Sequence, residues 1–364
     1  YGDHRDLHRV DRRQRQMCIR DSFKTRCSRN NKGQREMMKL IIDADTGSDD
    51  AVALLMAYRN LPSDQILGVT VVAGNVPLDQ GLINTSYVNE LCEVDVPIFK
   101  GADKPMKRNY REVYNSEEST AIALSYGNDS TSAQNVHGID GLGDIGIKPK
   151  SHKIETESAQ DFYKKVLGEE DEIEIVTLGP LTNIAGLVQN NEEKLEKIKH
   201  CYIMGGSSNA LGNITKFAEY NFWVDPEAAD IVLNSGIPIT VIGWDPSLYD
   251  AMIDTEKIQE IDAIGTKFSK FTNDIQVVLR EMMKDIFGSD SYDLPDPLAM
   301  SVYLDNEIIS QSVEVNVRVD TRDGMTRGGC ILDFLNLEPE APKIRVVQRC
   351  HGDKFYSLLK NSLA

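Results

Sequence analysis

Short apolar runs alternate along the chain with longer stretches that show helical spacing. The apolar runs predict buried strands at 40–42, 66–73, 97–99, 173–178, 201–204 and 237–242. The longer stretches predict helices at 51–57, 78–91, 181–189, 226–234, 254–263, 267–287 and 353–362. Strands and helices that alternate through short turns favour a parallel sheet. We therefore expect an α/β fold with an open, mostly parallel, Rossmann-like sheet and helices on both faces.

Two regions depart from this alternation. Valines at 313, 315, 317 and 319 alternate with other residues and predict a small antiparallel hairpin near the C-terminus. Residues 103–134 are polar and irregular, and Ser, Thr and Asn are frequent among them. Loops of this length in a compact domain usually cover or bind something, so we expect a lid or a binding loop.

Composition limits the classes of function. The chain has 364 residues, 41% of them hydrophobic, which is enough for one sizeable core. Its net charge of −17 opposes binding to nucleic acid. No apolar run approaches the length of a transmembrane helix, so we expect no membrane partner. The 6 cysteines show no metal-binding or disulfide spacing, which favours reduced thiols in a cytoplasmic protein.

The first 38 residues differ from the rest. They carry 11 Lys and Arg against 5 Asp and Glu, and they show neither apolar periodicity nor a signal-peptide core. We expect 1–38 to be a basic extension that is disordered or not native. Residues 39–364 are expected to form a single domain.

The segment 43–50 carries the clearest chemical signal. Asp43, Asp45, Asp49 and Asp50 follow the first predicted strand and open the first predicted helix. Ligands bind at the carboxyl ends of strands in open α/β sheets. Carboxylates this close repel one another, and a divalent cation relieves the repulsion. Oxygen ligands favour Ca²⁺ or Mg²⁺, so the segment predicts a site for such an ion.

Two other interpretations explain this segment less well. Helix capping accounts for Ser48 or Asp49, but not for Asp43 and Asp45 on the end of a strand that should be apolar. A phosphatase that forms an aspartyl-phosphate would carry Thr or Val four residues after the first Asp. That position holds Gly47, so we reject the phosphatase.

Five segments share their order with one known family. They are DADTGSDD at 43–50, GN at 74–75, GPLTNIA at 179–185, a group of MGG at 204–206, GN at 212–213, AEYN at 218–221 and DPEAA at 225–229, and DPLA at 296–299. Together they resemble the inosine–uridine-preferring nucleoside hydrolases over about 39–361. The family usually has Pro where this chain has Thr46, a change that a turn tolerates.

The resemblance implies one bound Ca²⁺. Its ligands would be the side chains of Asp45, Asp50 and Asp296 and the backbone carbonyl of Leu178. A carbonyl ligand tolerates any side chain, so Leu178 is no objection. The remaining ligands would be water and the 2′- and 3′-hydroxyls of a ribose, which suits a hard cation.

The implied reaction is hydrolysis of the N-glycosidic bond of a ribonucleoside, which gives ribose and the free base. It would pass through an oxocarbenium-like state, with metal-bound water as the nucleophile and Asp45 as general base. The residues implied to bind the sugar are Asp49, Asn75, Met204, Asn213, Glu219 and Asn221. The family also implies a homodimer or a homotetramer.

One departure concerns the leaving group. Well-known members carry His directly before the last calcium-binding Asp, and that His helps to protonate the departing base. Here the position is Pro295, which has no proton to donate. His137 resembles another family histidine near the leaving group, although a lone loop His is often structural. The base could also stack on an aromatic ring, and the candidates are Trp223, Trp244, Tyr249 and Tyr292.

Three functions remain open at this point. The leading one is Ca²⁺-dependent hydrolysis of purine or pyrimidine ribonucleosides. The second is hydrolysis of another N-riboside, such as a nicotinamide or modified nucleoside. The third is a non-catalytic riboside-binding protein, in view of Pro295, although the intact Asp45, Asp50 and Asp296 oppose it.

Overall fold

The computed structural model describes residues 38–108, 136–151, 153–209 and 212–364, and an eight-stranded sheet lies at its centre. The strands of the whole fold are, in chain order, β1 (Lys39–Ala44), β2 (Ile66–Val71), β3 (Ile98–Lys100), β4 (Ile173–Thr177), β5 (Ile198–Met204), β6 (Ile239–Ile242), β7 (Met252–Ile253), β8 (Tyr292–Asp293), β9 (Ile309–Val315), β10 (Val317–Val319), β11 (Cys330–Leu332) and β12 (Ile344–Cys350).

Helices connect most of these strands. In chain order they are α1 (Ser48–Asn60), α2 (Leu78–Cys92), α3 (Ala159–Glu169), α4 (Thr182–Asn190), α5 (Tyr220–Val224), α6 (Pro226–Leu233), α7 (Trp244–Asp250), α8 (Thr255–Ile264), α9 (Lys267–Asp274), α10 (Val277–Phe287), α11 (Pro295–Leu304) and α12 (Gly352–Leu363). Short 3₁₀ turns cover Glu192–Lys197 and Asn306–Ile308.

The strand order is β3-β2-β1-β4-β5-β6-β12-β9. Neighbouring strands from β3 to β12 run parallel, and β9 at the edge pairs antiparallel with β12. The chain first builds outward from β1 to β3 and then returns to place β4 on the other side of β1. This reversal creates a crevice at the carboxyl ends of β1 and β4, which is where open α/β sheets bind ligands.

The sheet separates two hydrophobic cores. Along β1, Leu40 and Ile42 face the core formed with α1, α2, α11 and α12, whereas Ile41 faces the core formed with α3, α4 and α6. Alternate residues of a strand point to opposite faces, so helices cover the sheet on both sides. The predicted mostly parallel α/β sheet with helices on both faces is confirmed.

The single helix predicted at 267–287 is wrong in one respect. The structure has two helices, α9 and α10, which are separated at Ile275 and Gln276. The Gln276 side chain is fully buried at this break and donates to the backbone oxygen of Ser48 at 3.3 Å. The apolar spacing continues on both sides, so periodicity alone could not show the interruption.

The valine alternation at 313–319 belongs to two separate sheets. Val313 and Val315 lie on β9 in the main sheet, whereas Val317 and Val319 lie on β10, which pairs antiparallel with β11. The predicted small antiparallel hairpin near the C-terminus is therefore confirmed as β10–β11. The buried Asn316 lies between the two strands and donates to the carbonyl of Pro342 at 3.1 Å. Strand β12 and helix α3 had not been predicted.

Four further expectations concern the chain beyond the order of its strands. The basic extension at 1–38 lies outside the described residues except for Met38, and so does 109–135, which is most of the predicted loop. Lys39–Ala364 forms one compact unit. Within the described ranges, no helix is both long and apolar enough to cross a membrane.

Candidate active site

Polar residues collect where the central strands end. Asp45 follows β1, Asn75 follows β2, Leu178 follows β4 and Met204 ends β5. Because these strands are parallel neighbours in the order β2-β1-β4-β5, their carboxyl ends meet at one edge of the sheet. The crevice between β1 and β4 therefore has Asp45 and Leu178 on its two sides.

The beginnings of two helices bring further carboxylates to this edge. Asp49 and Asp50 lie in the first turn of α1, and Asp296 lies in the first turn of α11. Asp49, Asp50 and Asp296 each offer an oxygen atom, and the three atoms lie within 4.8 Å of one another. Helix N-termini carry partial positive charge, which helps to hold carboxylates together but does not neutralise three of them.

Asp45 is enclosed by backbone. Its Oδ2 accepts the Asn75 N–H at 2.5 Å, and its own N–H donates to Asp50 Oδ1 at 3.2 Å. A Cβ on Gly74 would lie 1.9 Å from Asp45 Oδ2, and one on Gly179 would lie 2.6 Å from Oδ1. Only glycine at these two positions leaves room for the carboxylate in this orientation.

One oxygen of this carboxylate has no partner. Asp45 Oδ1 is buried and accepts no hydrogen bond from any described residue. A buried carboxylate oxygen without a donor carries a large desolvation cost. The unpartnered oxygen therefore marks a place where the folded chain is complete only with a further positive or proton-donating group.

The pKa values of the clustered carboxyl groups also indicate that the folded chain needs a further positive group here. Burial, and then the charge of Asp50, raise the pKa of Asp45 well above its ordinary value. Burial and the neighbouring Asp49, Asp50 and Asp45 raise the pKa of Asp296 in the same way. Burial raises the pKa of Asp49 to about 6. A hard divalent cation fits this set of oxygen atoms, because its charge removes the repulsion that raises each pKa.

The far side of the crevice is built by the start of α5. Glu219 caps this helix, and its carboxylate accepts the N–H groups of Gly206 at 2.7 Å, Asn221 at 2.9 Å and Phe222 at 3.3 Å. Burial raises the pKa of Glu219 to about 7 despite these donors. The Asn221 amide donates to the Leu178 carbonyl at 2.7 Å.

His137 reaches the cluster from another segment. Its Nδ1 lies 2.9 Å from Ser48 Oγ and 3.7 Å from Asp49 Oδ1. Asn84 holds this segment in place, because its amide donates both to the Thr46 carbonyl at 2.9 Å and to the Asp140 carbonyl at 2.8 Å. Burial lowers the pKa of His137 to about 4, so its imidazole is neutral at neutral pH.

Comparison with known proteins decides the family. The family model described as inosine-uridine preferring nucleoside hydrolase matches residues 40–357. The chain belongs to this family. It is therefore a hydrolase that acts on N-glycosyl bonds.

Curated relatives cover most of the chain. Uridine nucleosidase 1 of Arabidopsis thaliana is 34% identical over 81% of this chain and 82% of its own length. A pyrimidine-specific ribonucleoside hydrolase of Salmonella typhimurium is 32% identical over 90% of this chain and 98% of its own length.

Solved structures of nucleoside hydrolases share the fold. A plant nucleoside hydrolase superposes with a TM-score of 0.77 at 26% identity, over 90% of this chain and 98% of its own. A purine-preferring ribonucleoside hydrolase of Gardnerella vaginalis gives a TM-score of 0.76 at 27% identity, over 89% of this chain and 98% of its own. The resemblance inferred from the five sequence segments is thus confirmed.

The structure gathers most of the residues that the sequence predicted for this nucleoside hydrolase. Those with a described contact or proximity in the crevice are Asp45, Asp49, Asp50, Asn75, His137, Leu178, Met204, Glu219, Asn221 and Asp296. Asn213 is different: it lies exposed in the loop before α5, and no described contact links its side chain to the carboxylates. The roles assigned to all of these residues remain predictions.

The aromatic candidates lie in contrasting places. Trp223 and Tyr292 are almost fully buried and pack in hydrophobic clusters. The Trp244 indole donates to Asp293 at 3.1 Å, and Tyr249 is exposed beneath Arg349. Core packing thus explains Trp223 and Tyr292 without a base.

Two residues that lie beside His137 had not been predicted to contact it. Ser48 was considered only as a helix cap, and Gln276 was placed inside a continuous helix. Both are fully buried, and Ser48 Oγ lies 3.1 Å from Gln276 Oε1. Ser48 could have been noticed because it sits among the aspartates of segment 43–50. Gln276 gave no signal, since 228 residues separate it from its partner.

Proposed function

We propose that the chain hydrolyses the N-glycosidic bond of ribonucleosides in a Ca²⁺-dependent reaction with Asp45 as general base. The observation that carries this proposal is the buried Asp45 Oδ1, which has no donor among the described residues and lies in a crevice lined by further carboxylates. An unpartnered basic oxygen beside a cluster that needs a cation is the arrangement that activation of water requires.

The residues that would hold the ion are Asp45, Asp50 and Asp296 together with the carbonyl of Leu178. Asp49 is a further candidate because its oxygen lies within 4.8 Å of those of Asp50 and Asp296. The Leu178 carbonyl already accepts from Asn221, but a carbonyl oxygen has a second lone pair. When bound, Ca²⁺ would supply the charge that keeps these carboxylates ionised and makes water more acidic.

Asp45 would move the proton. Its Oδ1 takes a proton from water while the water oxygen forms a bond to the anomeric carbon of the ribose. The bond from that carbon to the base nitrogen breaks, and its electron pair leaves with the base, which then takes a proton from solvent. The Asn75 N–H holds Asp45 Oδ2 at 2.5 Å, so the carboxylate keeps Oδ1 turned away from β2.

The sugar would be held by residues around the same crevice. Asn75 and Asn221 offer amide groups, and Asp49 and Glu219 offer carboxylates, which suit hydroxyl groups. Asn75 already donates to Asp50 Oδ2 at 3.1 Å, and Asn221 lies 3.2 Å from the sulfur of Met204. Met204 would add an apolar contact with the ring, and Asn213 would join from its loop.

Uridine is the first substrate to test. The two curated relatives named above are a uridine nucleosidase and a pyrimidine-specific hydrolase. The purine-preferring structural neighbour makes inosine the natural competitor. A nicotinamide riboside or modified nucleoside is the alternative substrate, because Pro295 stands where well-known family members carry the His that helps to protonate the departing base.

The test follows release of free ribose from uridine, cytidine, inosine and nicotinamide riboside by the full chain. Each reaction is run with Ca²⁺, with a calcium chelator, and with Ca²⁺ restored in excess of the chelator. We expect ribose from at least one nucleoside, loss of release in chelator and recovery with Ca²⁺. Release that persists unchanged in chelator would contradict the role of calcium, and no release from any substrate would contradict the hydrolase.

A further inference from the structure

The start of α5 contacts the turns that follow three strands of the sheet. Glu219 accepts from the turn after β5, and Asn221 donates to the turn after β4. Tyr220 lies between them, and its hydroxyl donates to the Gly74 carbonyl at 2.9 Å. Gly74 belongs to the turn after β2, and β1 and β4 lie between β2 and β5 in the sheet. The Tyr220 side chain therefore reaches from one side of the crevice to the other.

The Gly74 carbonyl belongs to the same peptide unit that contacts Asp45. The N–H of this unit is that of Asn75, and it donates to Asp45 Oδ2 at 2.5 Å. The unit is trans, so its C=O and N–H point in opposite directions. One planar group is thus held on one side by the Tyr220 hydroxyl and on the other by the Asp45 carboxylate. We call this pair of hydrogen bonds the peptide clamp, and a rotation of the unit would break both of them.

The residue at position 74 makes such a constraint useful. A Cβ on Gly74 would overlap Asp45 Oδ2, so only glycine fits beside this carboxylate. Glycine lacks the Cβ that limits backbone rotation, so the peptide unit that follows Gly74 can turn more easily than most. A hydrogen bond on its carbonyl limits this rotation and also polarises the N–H toward Asp45. The Tyr220 hydroxyl supplies that hydrogen bond.

The ring of Tyr220 is held in place independently of its hydroxyl. It packs against the hydrophobic cluster of Ile214, Ala218, Trp223 and Val224. Its centroid lies 6.4 Å from that of the Trp223 ring. Loss of the hydroxyl alone should therefore leave the ring where it is, so a Tyr220→Phe variant tests the hydrogen bond and not the packing.

We propose that Tyr220 is a positioning residue for Asp45, which acts through the Gly74–Asn75 peptide unit to keep Asp45 Oδ1 directed into the crevice. The consequence for the reaction rests on the proposed function of Asp45 as general base, whereas the peptide clamp itself does not. In this role Tyr220 influences the transfer of the proton from water to Asp45 and leaves the affinity for the nucleoside unchanged.

Hydrogen exchange of the Asn75 amide tests the peptide clamp without turnover. The full chain, labelled with ¹⁵N, is compared with Tyr220→Phe by NMR in Ca²⁺ and in chelator. We expect the Asn75 N–H to exchange at least about tenfold faster in Tyr220→Phe under both conditions. Equal exchange in the wild type and in Tyr220→Phe would overturn the proposal, whether or not the protein releases ribose.

Another buried tyrosine gives the matched control. The Tyr58 hydroxyl on α1 is buried and has no hydrogen-bond partner among the described residues. Tyr58→Phe removes the same group as Tyr220→Phe but breaks no recorded hydrogen bond. It should leave both the exchange of the Asn75 amide and the rate of ribose release at the wild-type level.

Kinetics test whether the peptide clamp serves Asp45. At saturating Ca²⁺, Tyr220→Phe should lower kcat about tenfold with KM nearly unchanged, because a general base acts in the transition state and not in substrate binding. A raised KM with unchanged kcat would show that Tyr220 binds the nucleoside and would contradict the proposal. Absence of ribose release from the wild type would instead reject the proposed function, and hydrogen exchange would still decide whether the clamp exists.

A double-mutant cycle separates this role from a general structural one. If Tyr220 acts through Asp45, Tyr220→Phe should cause no further loss of kcat in an Asp45→Asn background, since residues that act as a unit are not additive. The same tenfold loss in both backgrounds would show that Tyr220 acts independently of Asp45 and would overturn the proposal.

Discussion

The backbone N–H of Asp45 donates to the Oδ1 atom of Asp50 at 3.2 Å, which ties the turn after β1 to the first turn of α1. This bond holds two buried carboxylates as neighbours, and the charge of Asp50 raises the cost of ionising Asp45. Burial and then the charge of Asp50 raise the pKa of Asp45, while burial and then Asp49 raise the pKa of Asp50. Without a cation the folded chain must therefore hold protons that the unfolded chain has released.

This proton uptake predicts how stability changes with pH in chelator. Burial raises the folded-state pKa of Asp49 to about 6 and that of Glu219 to about 7. Between about pH 4, where the unfolded carboxyls titrate, and pH 7, the folded state binds more protons, so the free energy of unfolding falls as pH rises. We expect a loss of a few kcal/mol across this window by urea denaturation.

Calcium provides the control for that measurement. A bound cation keeps the carboxylates ionised, so the decline should be much smaller in Ca²⁺. His137, whose pKa burial lowers to about 4, acts in the opposite sense within this window and offsets part of the decline. Asp290, whose pKa Arg280 lowers to about 2, acts in the opposite sense only below it. Equal slopes in Ca²⁺ and in chelator would contradict the assignment of the cluster as a cation site.

The Gly179→Ala substitution should displace Asp45. A Cβ at this position would lie 2.6 Å from Asp45 Oδ1, so the carboxylate or the β4 turn must move. A displacement of about 1 Å at a catalytic group costs on the order of 100-fold in rate, and we expect a loss of this size in ribose release.

A glycine in a helix gives the matched control. Gly168 lies in α3, and a Cβ there meets nothing nearer than Lys194 Nζ at 3.9 Å. Gly168→Ala should leave the rate unchanged and stabilise the protein by about 0.5–1 kcal/mol. If Gly179→Ala is as active as Gly168→Ala, the rate of ribose release does not depend on the orientation of Asp45.

Calcium affinity should depend on Asp296. Its carboxylate comes from α11 and is the member of the cluster most distant in sequence from segment 43–50. Asp296→Asn removes one negative ligand, so titration calorimetry should show calcium binding at least about tenfold weaker. Asp285→Asn changes an exposed acid of α10 and should bind calcium like the wild type. Equal affinity in the two variants would remove Asp296 from the ligand set.

The side-chain amide of Asn221 should be needed to stabilise the folded structure around the crevice. Its Nδ2 donates to the carbonyl oxygens of Leu178 at 2.7 Å and Met204 at 3.3 Å. In Asn221→Asp a carboxylate oxygen would face both carbonyls in a buried place, which should cost about 2–4 kcal/mol in urea denaturation.

A substitution at an exposed asparagine is the matched control for the fall in the free energy of unfolding. Asn190, at the end of α4, is exposed, so Asn190→Asp should change the free energy of unfolding by no more than about 0.5 kcal/mol. A similar small change in Asn221→Asp would mean that its amide bonds do not support the crevice.

The sequence predicted the parts of the fold that depend on local pattern. Runs such as 66–73 and 173–178 are apolar because β2 and β4 are buried on both faces, so they could be recognised without an alternation. Strand β12 was missed because Arg345 and Arg349 interrupt its apolar residues. The break at Gln276 was missed because its cause is a contact with Ser48, far away in sequence.

In the candidate site, too, the residues that follow strands could be predicted, whereas contacts between distant segments could not. Asp45 directly follows β1, and Asn75 lies in the turn after β2, so the rule for parallel sheets places them at one edge. Asp296 was found through the resemblance, since a lone Asp before Pro297 has an ordinary capping explanation. The polar chain from Gln276 to His137 could not be predicted, because it depends on the packing of three separate segments.

The most direct test of the account compares Asp45→Asn with the wild type in ribose release from the best nucleoside. Both proteins are assayed at saturating Ca²⁺, with calcium occupancy verified by titration calorimetry. An amide cannot take the proton from water, so we expect a rate lower by about 10²–10⁴-fold with calcium still bound. A calcium-loaded Asp45→Asn protein that releases ribose within a fewfold of the wild-type rate would contradict Asp45 as the general base.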